Sequence, residues 1–99
     1  MENIVKEITI KEIDCAYETL ERVLNMGGME SIKERLWQNF SGQATGATMT
    51  GAEILRKMGN EASAKEIYNY YRDVVGPKFE KLFDKILNKK ELNSILSEV

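Results

Sequence analysis

Two residue types that carry much of enzyme chemistry are nearly missing from this sequence of 99 residues: histidine does not occur, and cysteine occurs once, at Cys15. Histidine is the usual general base and the commonest transition-metal ligand. One cysteine cannot build a zinc site, an iron–sulfur cluster or an internal disulfide. Catalytic arrangements that need a histidine are impossible within one chain. The sequence therefore predicts no enzyme, no catalytic residue, no bound metal and no cofactor.

One segment invites comparison with a phosphate-binding loop. Gly46 and Gly51 have the glycine spacing of a P-loop. The Lys-Ser or Lys-Thr pair that should follow is replaced by Ala52 and Glu53, and the Glu53 carboxylate would repel a phosphate. Residues 41–49 are small and polar, with two glycines. We interpret them as a mobile loop and not as a nucleotide site.

Cys15 is the remaining nucleophile, and its position within a helical pattern predicts its environment. The apolar residues around it share one helical face, which comprises Ile13, Tyr17, Leu20 and Leu24. Cys15 lies on the opposite face, so we expect its thiol to be exposed or to lie at an interface.

The composition is typical of a folded domain, since 42% of the residues are hydrophobic and 30% are charged. Residues 1–99 are predicted to form a single helical domain. The net charge of −2 does not favour nucleic acid, and the apolar runs are too short to span a membrane. The first residues lack the pattern of a secretory signal, so we expect a cytoplasmic protein.

Apolar residues recur at helical spacing in most of the chain. Four candidate capping boxes mark possible helix starts: Thr9–Glu12, Ser31–Glu34, Thr50–Glu53 and Ser63–Glu66. The pattern predicts helices at about residues 10–25, 29–40, 51–58, 64–75 and 77–87, with a last turn at Leu92, Ile95 and Leu96. Residues 1–8 are predicted to form an extended or flexible arm. The expected fold class is all-α, a compact bundle of four to five short helices.

The sequence Gly76-Pro77 raises the question of whether one helix or two occupy this region. The apolar stripe after Pro77 is rotated by roughly 100° from the stripe before it, at 100° per residue. A straight helix would then bury two different faces. We therefore expect a break or a sharp kink at Gly76-Pro77.

Function is predicted largely by elimination, because neither catalytic groups nor a strong charge are present. We expect a small non-enzymatic adaptor or regulatory protein that acts by binding another protein, with a homo-oligomer as one form of that binding. Aromatic side chains supply much of the energy of protein interfaces. The candidate interface residues are Trp37, Tyr68, Tyr70 and Tyr71.

An alternative function follows from residues 50–72, which read as a short helix, a turn containing Gly59 and a second capped helix. This arrangement resembles a helix-turn-helix, and the resemblance implies a DNA-binding regulator. The second helix would then present its polar side chains to DNA: Ser63, Lys65, Asn69 and Arg72. Glu61, Glu66 and Asp73 would place negative charge beside the DNA, so nucleic acid is the less favoured partner.

Overall fold

A computed structural model describes residues 2–28 and 30–86, with side chains from residue 4 onward. These residues form three long helices and no strand. Helix α1 is Glu2–Asn25 and α2 is Lys33–Lys57. The third helix begins as α3, Glu61–Tyr70, passes through a π-helical segment, Tyr71–Val75, and continues over residues 76–86. The all-α prediction is confirmed, but the predicted count of four to five short helices is wrong for these residues.

The three helices run up, down and up. Lys6 of α1 forms an ion pair with Glu66, and Tyr17, farther along α1, packs against Phe79. Therefore α1 and the third helix are parallel. Helix α2 runs in the opposite direction, because its early residue Trp37 also packs against Phe79. The core between them consists of fully buried apolar residues, of which the largest are Phe79, Ile13, Leu20, Leu55, Ile67 and Val75.

The predicted mobile loop at residues 41–49 is wrong, because these residues lie inside α2. Its small polar residues find hydrogen-bond partners without leaving the helix. The Thr45 hydroxyl donates to the Ser41 carbonyl at 2.9 Å, and the Thr48 hydroxyl donates to the Ala44 carbonyl at 2.8 Å. Such bonds to the carbonyl four residues earlier let threonine remain in a helix. The separate helices predicted on either side of the loop are therefore one helix.

Gly51 explains why this part of α2 uses small residues. A β-carbon at Gly51 would collide with the Thr9 side chain of α1. Thr9 is itself buried, and its hydroxyl donates to the Val5 carbonyl at 2.7 Å. Glycine here permits α1 and α2 to approach closely, so it is a packing residue and not a helix breaker.

The extended or flexible arm predicted for residues 1–8 is also wrong, because α1 begins at Glu2. Val5 packs against the core, and the Lys6–Glu66 pair links this first part of α1 to the third helix. The capping box at Thr9 thus falls inside α1, and the one at Thr50 falls inside α2. Both threonines are interior helix residues.

Glycines with positive φ follow the first two helices. Gly27 and Gly28 follow α1 with φ of 79° and 77°, and Gly59 follows α2 with φ of 83°. These left-handed values favour glycine. The third helix is capped by Asn60, whose side-chain oxygen accepts a hydrogen bond from the Ser63 N–H at 3.0 Å. The predicted cap at Ser63 is therefore displaced by three residues.

The predicted break at Gly76-Pro77 is wrong, since the third helix continues through both residues. A proline ring in a helix clashes with the carbonyl four residues earlier, here that of Asp73, which lies in the π-helical segment. A π-helical turn holds one additional residue and rotates the following helix by about 100°. This turn accounts for the rotated apolar stripe without a break. Val74, within this segment, is 39% exposed.

The predicted last turn at Leu92, Ile95 and Leu96 lies outside the described residues, as do Met29 and Leu87.

Candidate functional site

Trp37, a predicted interface residue, makes contacts within the molecule. Its indole Nε1–H donates to the Phe79 carbonyl at 2.7 Å, and its ring contacts Phe83 with 4.7 Å between centroids. Trp37 is half-buried and joins α2 to the third helix. Its main role in this structure is packing.

The three predicted tyrosine anchors are all half-buried, and each has a partner on another helix or segment. The Tyr70 hydroxyl donates to Asp14 of α1, and the Tyr71 hydroxyl lies 2.9 Å from the Thr45 hydroxyl of α2. The Arg56 guanidinium lies 5.2 Å from the centre of the Tyr68 ring. The structure therefore does not bring Trp37 and the tyrosines together as one exposed patch.

The four candidate DNA contacts lie on the third helix. Lys65, Asn69 and Arg72 are exposed, whereas Ser63 is half-buried next to its cap. The Arg72 guanidinium donates to both carboxylate oxygens of Asp73, at 2.9 and 3.2 Å. This pairing raises the Arg72 pKa and lowers that of Asp73. The candidate ridge consequently carries less free positive charge than its sequence suggests.

The helices of the candidate helix-turn-helix pack side by side. Tyr71 contacts Thr45, and Phe79 contacts Trp37, so α2 and the third helix stay antiparallel over many turns. A helix-turn-helix instead crosses two short helices at about 90–120°. Residues 50–72 are thus the tip of an αα-hairpin.

The best candidate site is a groove between α1 and α2, about 510 Å³ in volume. We name it the α1/α2 groove. Its walls are mainly small and apolar groups, contributed by Glu12, Cys15, Ala16 and Thr19 of α1 and by Phe40, Gln43, Gly46, Ala47 and Thr50 of α2. Glu12 is the one charged residue in this lining.

The α2 wall of this groove lacks charge over an unusual length. No charged residue occurs from residue 36 to residue 52, although 30% of the whole chain is charged. Within this stretch Gly42 and Gly46 are exposed, and a β-carbon at either would meet nothing within 4 Å. Exposed glycine in a helix costs about 1 kcal/mol relative to alanine. Internal packing explains Gly51, but it does not explain these two glycines.

Large apolar side chains extend the groove toward one end of the bundle. Ile54 follows Thr50 by four residues and is 43% exposed, while Ile8 precedes Glu12 by four residues and is 53% exposed. Residues four apart share a helical face. The groove is therefore lined mainly by small side chains, with Glu12 as the one charged residue, and has bulky apolar side chains at one end.

Cys15 lies at the edge of the α1/α2 groove and is exposed, which confirms the prediction from the helical wheel. The rest of the groove was missed. Two signals in the sequence could have indicated it: the uncharged stretch of α2 and the 4-3 spacing of its groove-side positions, Leu36, Phe40, Gln43, Ala47, Thr50 and Ile54. Neither signal indicates a helical face if residues 41–49 are interpreted as a loop.

A second, polar cleft of about 360 Å³ lies between α1 and the third helix. Burial and the hydrogen bond to Asp14 raise the pKa of Tyr70 to about 12. Burial, with the Glu21 carboxylate 2.9 Å away, also raises the pKa of Tyr17. The tyrosine hydroxyls thus satisfy these carboxylates internally. Among the described residues no group of three or more acidic or cysteine side chains could hold a metal ion.

Within the described part of the chain, no helix has the length and apolar character needed to cross a membrane. Comparisons with protein-family models, with curated proteins and with solved structures find no match to this chain.

Proposed function

We propose that this protein is a small, non-enzymatic adaptor or regulator that acts by binding another protein. The observation that carries this proposal is the α1/α2 groove, an open and mainly apolar concavity in which Glu12 is the one charged lining residue. Binding sites are typically concave and apolar, with few polar groups. The predicted cytoplasmic location and the predicted absence of catalysis remain part of this proposal.

The groove fits an amphipathic helix of a partner protein. Proteins commonly recognise such a helix by placing its apolar face in a groove between two of their own helices. The uncharged α2 wall would leave any charge on the contacting face without a partner, which is costly on desolvation. We therefore expect the partner helix to contact Gly46 and Ala47 through uncharged side chains, with a bulky apolar residue near Ile54.

Two exposed glycines of α2 provide a test variant and a matched control. Gly46 lines the groove, whereas Gly42 does not, and both have open space at the β-carbon position. We expect Gly46→Leu to fill the groove and abolish recovery of the partner in an affinity pull-down analysed by mass spectrometry. Gly42→Leu introduces the same side chain into the same helix and should preserve recovery. Equal recovery with both variants, despite intact folds, would overturn the groove as the binding site.

Nuclease treatment of the pull-down separates this proposal from the DNA-binding alternative. A partner that persists after nuclease supports protein binding, and one that is lost supports nucleic acid. The alternative makes its own prediction: Arg72→Glu should abolish DNA binding without changing the fold. The Arg72–Asp73 pair and the antiparallel hairpin do not favour it.

A further inference from the structure

The outward face of α1 carries a second uncovered stripe, distinct from the groove walls on α2. Its members fall within about 80° of the helical wheel at 3.6 residues per turn. They are Ile4, Ile8, Lys11, Cys15, Glu18 and Arg22, and all of them are exposed. Ile4 and Ile8 are 54% and 53% exposed, and Met26, just beyond the helix, is 74% exposed. We name this surface the α1 outer stripe.

Charges along this face are arranged so that each would meet an opposite charge on an identical helix lying antiparallel to it. Glu7, at the edge of the stripe, is acidic, Lys11 is basic, Glu18 is acidic and Arg22 is basic. If an identical helix lies antiparallel against this one, Glu7 faces Arg22 and Lys11 faces Glu18. In both pairs the two residue numbers add to 29, so a single register satisfies both. A two-fold axis then generates each pair twice.

The same register also brings the apolar residues together. Ile4 lies opposite the end of the partner α1, where Met26 follows the helix, and Ile8 lies opposite Glu21, next to the aliphatic stem of Arg22. The two-fold axis passes between residues 14 and 15, so the two Cys15 thiols come close to each other. A cavity of about 540 Å³ on this face surrounds that axis and is lined by Ile8, Lys11, Glu12, Asp14, Cys15 and Glu18.

From this charge pattern we infer that a second copy of this chain binds the α1 outer stripe, with the two α1 helices antiparallel about a two-fold axis near Cys15. The inference does not depend on the helix-in-groove proposal, because it concerns a different partner and the charged residues of α1, although Cys15 and Ile8 also border the groove. A helix of an unrelated protein would carry this complementary charge order only by coincidence. A second copy must do so.

Charge reversal with rescue tests the register directly. Lys11→Glu places two acidic pairs at the interface, and Glu18→Lys places two basic pairs there. Exposed ion pairs contribute up to about 1 kcal/mol each, so reversal of two should weaken dimerisation about tenfold or more. The double variant Lys11→Glu/Glu18→Lys restores both pairs and should recover wild-type dimerisation within about threefold. Sedimentation over a concentration series measures each constant.

The matched control is Lys57→Glu, which makes the same charge change on the exposed face of α2 and should leave dimerisation unchanged. Circular dichroism verifies the fold of every variant. A bis-maleimide with a short spacer should link the two Cys15 thiols in the wild type and in the double variant, but not in Lys11→Glu. A monomer at all concentrations, or a double variant as weak as the single ones, would overturn the inference. Gly46→Leu should lose the groove partner yet dimerise normally, so the two proposals can fail separately.

Discussion

The two ends of the bundle are packed by opposite means. Near the first residues of α1, the helices approach closely because Gly51 leaves room for the buried Thr9 side chain. Toward the other end, Tyr17 and Trp37 pack edge to face on Phe79, with ring centroids 5.4 and 6.3 Å away. The first contact depends on an absent side chain, and the second depends on large ones. The same bundle should therefore tolerate opposite kinds of change at its two ends.

The largest expected effect is the loss of the central aromatic ring. Phe79 is 2% exposed and contacts rings from both other helices. We expect Phe79→Ala to lower the free energy of unfolding by about 3–5 kcal/mol, because the cavity cannot close fully. Urea unfolding followed by circular dichroism measures the change. Val74→Ala, in the same helix at a 39% exposed position, should cost under about 1 kcal/mol.

At the close-packed end, addition of one methyl group should be harmful. Gly51→Ala forces a β-carbon against the Thr9 side chain. We expect it to lower the free energy of unfolding by about 1–3 kcal/mol through overpacking. Thr9→Ala removes two of the three colliding atoms and should recover part of this loss in the double variant. If both single variants and the double variant were additive, the two residues would not be in contact.

The same substitution at Gly46, five residues before Gly51, should change the free energy of unfolding in the opposite direction. Gly46 faces open space, so Gly46→Ala adds no clash and improves helix propensity. We expect the free energy of unfolding to rise by about 0.5–1 kcal/mol. The difference between Gly46→Ala and Gly51→Ala, measured by the urea midpoint, separates close packing from the intrinsic cost of glycine. A loss of stability in Gly46→Ala would mean that this position is covered in the isolated chain.

The smallest effect concerns Tyr70, between the two ends, and should emerge only at high pH. An unfolded tyrosine loses its proton near pH 10, whereas folded Tyr70, with a pKa of about 12, retains it. The unfolded state therefore binds fewer protons between these values, and stability should fall as pH rises from about 10 to about 12. Tyr70→Phe should reduce this slope. Tyr68→Phe removes one tyrosine elsewhere and is the control for urea midpoints from pH 9 to 12.

The all-α class, the position of Gly59 in a turn and the exposure of Cys15 could all be predicted from the sequence. Each depends on local periodicity or on glycine's access to positive φ. The helical conformation of Gly51 and of the threonines of α2 could not be predicted from the sequence. Their helical state depends on contact with Thr9 of another helix, and a local pattern does not record that contact.

The candidate groove shows the same limit. The uncharged stretch that forms its α2 wall can be read from the sequence. This stretch predicts a groove only if residues 41–49 are known to be helical. Trp37, predicted to contact a partner protein, also makes a contact that the sequence does not predict, because its side chain donates to the Phe79 carbonyl. Residue type alone does not predict this contact between α2 and the third helix.

The π-helical segment Tyr71–Val75 has a consequence for how this chain can change during evolution. The smallest in-frame change in the length of a gene is the insertion or deletion of one codon. In a regular helix, such a change rotates every later side chain by about 100° around the helix axis. Here one additional residue is already accommodated, and Phe79 and Ile86 face the core because of it. Deletion of a codon within this segment would regularise the helix locally and turn both side chains away. Evolution should therefore tolerate no insertion or deletion between Tyr71 and Val75. It should tolerate substitutions at Arg72, Asp73 and Val74, because all three side chains face the solvent.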